Sequence, residues 1–228
     1  MNRIRDFICF LKKPTYQIQQ ENLSIVESGK IVLYWLVLGF VMISVMTLLR
    51  MPLNNIVLLP RQIDFTGDAY SSLFLVLVIP LYEEFLFRIS LRYSKLNLSI
   101  TTSAIFLCIS HSLFKLNYLH SLGIAFVTFL IGYLLLFKKL DKQKTDRFWE
   151  KNITLFFYFS SIFFGVLHLA NFIDLKWVHF LFFPILVGEQ IFRGLIWGYL
   201  RLTLKNGIVY SILLHFLTNL PILFLRMG

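Results

Sequence analysis

Seven stretches of this chain are so apolar and so long that water cannot be their solvent. They run at about 31–49, 70–87, 97–114, 118–137, 153–171, 177–200 and 207–225, each near the roughly 20 residues a helix needs to cross a hydrocarbon layer about 30 Å thick. Inside hydrocarbon every backbone N–H and C=O must be satisfied within the segment, so helices are the expected form. The composition agrees, with 57% hydrophobic and 17% aromatic residues against only 15% charged, far from the balance of a soluble domain. The expected fold is all-α. It is a polytopic transmembrane helix bundle of about seven spans, with residues 31–228 as one membrane domain and residues 1–30 as a basic cytoplasmic or interfacial segment.

Excess Lys and Arg stay on the cytoplasmic side of a membrane. With the N-terminus inside, the inner side collects Arg3, Arg5, Lys12, Lys13 and Lys30, then Arg88, Arg92 and Lys95. After these come Lys138, Lys139, Lys142, Lys144, Arg147 and Lys151, then Arg193, Arg201 and Lys205. Outside fall only Arg50, Arg61, Lys115, Lys176 and Arg226. The net charge of +10 thus follows from orientation and from contact with anionic membrane lipid. No base-reading motif accompanies it, so a nucleic-acid partner is not expected. The expected location is a bacterial inner membrane, as a multi-pass protein with a cytoplasmic N-terminus.

Residues 3–16 mix Arg and Lys with Ile, Phe and Cys, which suits either a short helix lying at the interface or a disordered basic arm. No small-residue cleavage site follows a short apolar core, so no removable signal peptide is expected. Cys9 and Cys108 are poorly placed to meet, and no disulfide framework is indicated.

Three of the 12 acidic residues, Glu83, Glu84 and Glu189, fall inside apolar runs. An ionisable group near the bilayer centre costs about 2.5–3.5 kcal/mol, so such groups face the bundle interior and mark function. Glu84 reaches Arg88 at i,i+4, or the three form a structural ion pair at a helix end. Glu83, about 100° around the helix, is left to face another partner. Pro80 removes an amide hydrogen three residues earlier and should loosen the preceding turn. His168 lies in an apolar run, where a lone histidine is more often a satisfied core residue than a catalyst. His215 has Asn219 one turn later on the same face, a pair that either acts on a ligand or ties helices together. His111 competes with His168, while His120 and His179 fall near span ends where a polar tip reaches water.

Taken together, Glu83-Glu84-Phe85-Leu86-Phe87-Arg88, Phe164-Gly165-Val166-Leu167-His168 and His215-Phe216-Leu217-Thr218-Asn219 read as EExxxR, FxxxH and HxxxN, in that order on separate predicted helices. This set resembles the CPBP family, the CAAX-processing and bacteriocin-processing (Abi) membrane proteases, over about residues 70–220. The Gly194–Arg201 run before the last motif is also similar to the family. Glu83 and His168 are further apart than is usual there, and His111, with Leu107 in place of the phenylalanine, is the reserve candidate.

The resemblance implies intramembrane proteolysis, hydrolysis of a peptide bond in a protein or peptide substrate at or within the membrane. Glu83 with His168 would activate water, His215 and Asn219 would hold the carbonyl oxygen, and Glu84 and Arg88 would orient the first helix. A carboxylate stripped of water is the stronger base, and neutral donors count for more at low dielectric. No cofactor is required; the alternative is Zn²⁺ held by Glu83, His168 and His215. Two rival readings use the same residues, a non-enzymatic immunity or scaffold protein and a proton-coupled transporter. The absence of an evident repeat counts against the transporter.

Overall fold

In the computed structural model the chain is described over residues 3–16, 23–57, 59–60, 73–112, 114–136 and 140–221, and no strand forms among them. Residues 70–72, 113, 137 and 222–225 of the expected spans lie outside the described residues, as do Arg61, Lys138, Lys139 and Arg226. The helices are α1 (Arg3–Lys12), α2 (Ile25–Val57), α3 (Ile79–Phe87) and α4 (Lys95–Ser112), followed by α5 (Tyr118–Ile131), α6 (Lys142–Leu167), α7 (Phe183–Thr203) and α8 (Gly207–Asn219). Each expected span overlaps one of them, although α3 has only nine residues. Among the described residues three helical stretches are long and apolar enough to cross a membrane, Ile25–Leu53, Lys142–Asn171 and Trp177–Thr203, the mark of a membrane protein. Leu119–Leu134 and Gly207–Asn219 are apolar but shorter.

Local chemistry sets the ends and the irregularities. The Asp141 side chain accepts from the amides of Gln143 and Lys144 at 2.9 and 3.2 Å, an N-cap that starts α6. Asn117 caps α5 in the same way, accepting from His120 N–H at 2.9 Å. Ahead of Pro80 the chain winds as a π-helical turn over Phe74–Val78, the loosening expected where proline removes a donor. At the α7–α8 turn a side chain on Gly207 would collide with the Leu200 carbonyl and lie 2.6 Å from Arg201 Cα, so only glycine permits the close return.

Helix α7 is the central post and packs on α2, α6 and α8, while α3 leans on α4 and α8 and touches α6. Trp35, Phe87, Phe164, Trp197, Leu200 and Leu214 share the main core, and Phe7 of α1 joins them. Phe7 meets Trp35 and Tyr199 edge-on at 5.2 Å each, and Phe10 meets Phe157 at 5.2 Å, so Arg3–Lys12 is a helix packed on the bundle and not an arm. Helices α4 and α5 pack chiefly on each other at the side, where Leu119, Phe126 and Leu122 stay exposed.

Packing gives roles to residues whose surroundings the sequence left open, and it corrects one of them. Arg193 and Arg201 stand inside α7 and Arg50 inside α2. Arg50 donates to the carbonyls of Ile185 and Leu186 at the start of α7, at 3.0 and 2.5 Å. His179, expected at an interface, is buried, and its Nδ1 accepts from Lys176 N–H at 3.0 Å to cap the 3-10 turn Trp177–Phe182. His120 is exposed, as expected. Neither Cys9 on α1 nor Cys108 on α4 takes part in a disulfide.

Candidate functional site

Glu83 and Glu84 sit in the last turns of α3, one residue apart and in different surroundings. Glu84 is fully buried, and Glu83 keeps 21% of its side chain exposed. Glu84 Oε1 stands 3.0 Å from His215 Nδ1 and 3.7 Å from Arg88 Nη1. Its Oε2 accepts a hydrogen bond from the Ser211 hydroxyl, one turn before His215 in α8. Glu83 Oε2 lies 3.3 Å from His215 Nε2. The imidazole is therefore gripped at both nitrogens by adjacent carboxylates of one helix, the fully buried one behind and the partly open one in front.

Proton counting gives that grip its chemistry. A carboxylate only accepts, so His215 Nδ1 carries a hydrogen and donates it to Glu84. A neutral imidazole then offers a lone pair at Nε2, and the contact with Glu83 is favourable only when one proton lies in it, on Nε2 or on the Glu83 carboxyl. A Glu–His pair sharing one proton, with a second carboxylate holding the ring, is built to accept and return a proton.

Aromatic rings wall the site. Trp197 stacks on His215 at 4.1 Å between centroids, and Phe164 meets the His215 ring edge-on at 5.8 Å. The guanidinium of the fully buried Arg88 has no hydrogen-bond partner among the described residues. Its guanidinium lies 4.0 Å over Phe164 and 5.2 Å from Trp197, so ring faces and Glu84 balance its charge. Gly194 makes room for it: a Cβ there would come within 3.1 Å of both Arg88 Nη2 and the Ser161 backbone. Phe87 also lines an apolar recess of about 200 Å³ between α3, α4 and α6, floored by Phe156, Phe159 and Phe163.

Four consecutive carbonyls just beyond α3 are received by distant side chains. Arg201 donates to Arg88 O and Ile89 O at 3.2 and 2.9 Å, Trp149 Nε1 to Ser90 O at 2.8 Å, and the Tyr16 hydroxyl to Leu91 O at 2.5 Å. Burial pushes the Tyr16 phenol up to about 12, which keeps it a donor. Arg92 answers by donating to the carbonyls of Leu204 and Lys205. A helix end in an apolar setting needs such partners, and here they come from α6, α7 and the segment after α1 and lock α3 in register.

Of the residues singled out in the sequence, Glu83, Glu84, Arg88 and His215 meet directly. His168 is one ring away: it packs edge-on against Phe164 at 4.5 Å, and its Nδ1 lies 2.7 Å from the Phe164 carbonyl, to which it donates, leaving Nε2 an acceptor. Asn219 ends α8 half-buried, one turn beyond His215. His111 ends α4 with Nδ1 at 3.0 Å from Leu116 O, in a local turn. Glu189 pairs with Arg193 at i,i+4, a second Glu–Arg pair within electrostatic reach of Glu83. Sequence reading missed Ser211 and Trp197. Ser211, His215 and Asn219 repeat at four-residue spacing on one face of α8, a signal open to inspection, whereas nothing local marks Trp197 as the ring under His215.

A catalytic zinc needs three side-chain donors about 2.0–2.3 Å from one point. Among the described residues no three His, Cys, Asp or Glu side chains are grouped to hold a metal ion. Both nitrogens of His215 already face carboxylate oxygens, and this donor set as arranged does not fit zinc. No family model matches the chain, and no curated protein or solved structure matches it significantly.

Proposed function

We propose that the chain is an intramembrane endopeptidase of the CPBP type, hydrolysing a peptide bond at or within the membrane with Glu83 as the base. The observation that carries this reading is the double carboxylate grip on His215, with Glu83 the partly open member. In the reacting state the shared proton rests on His215 Nε2 and Glu83 is ionised. Glu83 then takes a proton from water as the water oxygen bonds to the scissile carbonyl carbon. The C=O electron pair moves to oxygen, where His215 Nε2–H and the Asn219 amide are the donors for the oxyanion. Glu83 passes its proton to the amine nitrogen as the C–N bond breaks, and water has been added across the peptide. His168, an acceptor at Nε2, helps hold the water, while Glu84 and Arg88 orient His215 and α3.

In the same reading the shorter helices complete about seven crossings of a bacterial inner membrane, with the N-terminus in the cytoplasm. A structural network without catalysis needs only the closed set Glu84, Arg88, Ser211 and His215, and leaves Glu83 without a purpose. The experiment is a comparison of membrane-peptide profiles in cells carrying the native chain or Glu83→Gln. Peptides absent in the variant support the reading, and unchanged profiles sink it. Activity that chelators remove and zinc restores would replace the metal-free mechanism by the zinc-dependent one.

A further inference from the structure

Helix α2 carries two parallel rows of side chains beside α1. Lys30, Tyr34 and Leu38 form one at four-residue spacing and Leu33, Val37 and Val41 the other, and with Ile4 of α1 they line an open groove of about 370 Å³. From Lys30 to Val41 the rows climb about 16 Å, half of the roughly 30 Å hydrocarbon layer and so the depth of one leaflet. Leu33, Val37 and Val41 are all more than half exposed, on a helix long and apolar enough to cross a membrane. In a bilayer hydrocarbon chains cover such a face.

The polar end of the groove is cationic. Lys30 is exposed there, and Arg3 donates to the Lys30 carbonyl at 2.8 Å while its guanidinium carbon stands 5.5 Å over the Tyr34 ring. Phe7 against Trp35 pins α1 at that level, so Lys30 and Arg3 stay at the mouth of an apolar channel one leaflet deep, with Glu27, one turn before Lys30 on α2, the acidic neighbour within reach of Lys30.

We propose that this groove binds one anionic phospholipid of the leaflet on which α1 lies, an acyl chain along the two rows and the phosphate between Lys30 and Arg3. The charge at the mouth selects the headgroup. A zwitterionic lipid fills the groove with the same chains, but its own ammonium offsets the attraction of its phosphate to the two cations. Each cation beside an anionic headgroup favours binding about fivefold. The site uses none of the residues placed around Glu83 and stands without the protease reading.

The test is native mass spectrometry of the full chain in detergent with added palmitoyl-oleoyl phosphatidylglycerol or the matching phosphatidylcholine. One phosphatidylglycerol should be retained with at least about fivefold preference. Lys30→Glu, at an exposed position, should bring the preference near parity. Val37→Trp, which fills the groove, should lower retention of both lipids. Lys142→Glu, the same charge change at the start of α6, should leave the preference as in the native chain. Equal retention of the two lipids by the native chain overturns the site, and so does an equal loss in Lys142→Glu, which would mean diffuse attraction. A paired chain in place of the lipid, lost in Val37→Trp, also overturns it. Should Val37→Trp fail to fold, the headgroup comparison and Lys30→Glu still decide.

Discussion

Glu83 and Glu84 differ by one position in the chain and by their surroundings in the bundle, and substitution should separate them. Glu84→Gln leaves the fully buried Arg88 without its countercharge, and breaking a buried pair costs about 3–5 kcal/mol. At about 2–4 °C per kcal/mol the melting temperature should fall by roughly 10 °C. Glu83→Gln keeps the ion pair and should melt near the native temperature, while under the proposed function it loses about 10²–10⁴-fold in cleavage. Equal melting temperatures for the two variants would contradict this division of roles. Gly194→Ala places a methyl 3.1 Å from Arg88 Nη2 and Ser161, and should cost about 1–3 kcal/mol, read as a lower melting temperature. At this scale much was legible. Charges inside apolar runs stand out because hydrocarbon penalises them, and the spacing of Glu84 to Arg88 and of His215 to Asn219 is a property of one helix. Which imidazole nitrogen faces which carboxylate was not legible, since it depends on the rotation of α8 against α3.

At the scale of elements, α3 is held less by its own nine residues than by what receives the carbonyls beyond its end. Arg201→Met removes the donors to Arg88 O and Ile89 O, and each orphaned carbonyl should cost about 1–3 kcal/mol. Amide hydrogen exchange at residues 88–92 should quicken while α5 exchanges as before; unchanged exchange there would show that the clamp does not hold α3. The loosened turn ahead of Pro80 was readable because that signal acts within a turn, whereas the start of α6 at the Asp141 cap, well ahead of the expected span, was not read. His179 was misplaced in the sequence reading because a polar side chain near a span end looks like one that reaches water. Only packing reveals that Arg50 and Arg201 cap the carbonyls of other helices.

Over the whole molecule, α7 is surrounded by α2, α6 and α8, whereas α4 and α5 lean on each other at the side. Exchange protection should therefore be highest in α7 and lowest in α5, and the reverse order would contradict α7 as the post of the fold. Orientation is testable through Cys9, which is exposed on α1. A membrane-impermeant maleimide should label it in inverted vesicles and not in intact spheroplasts, if α1 lies on the cytoplasmic face.

The sequence by itself determined that this chain is helical, that it belongs to a membrane and which polar residues stand out against the apolar background. These are consequences of composition and short-range periodicity, and each can be evaluated within a window of some 20 residues. Only the tertiary structure decided that Glu84 and His215, 131 residues apart, share a hydrogen bond, that Trp197 lies under the imidazole, and that His168 stands one ring behind it. Such contacts are set by how ridges of α3, α6, α7 and α8 interlock, and a row of residues carries no record of the rotation at which two helices meet.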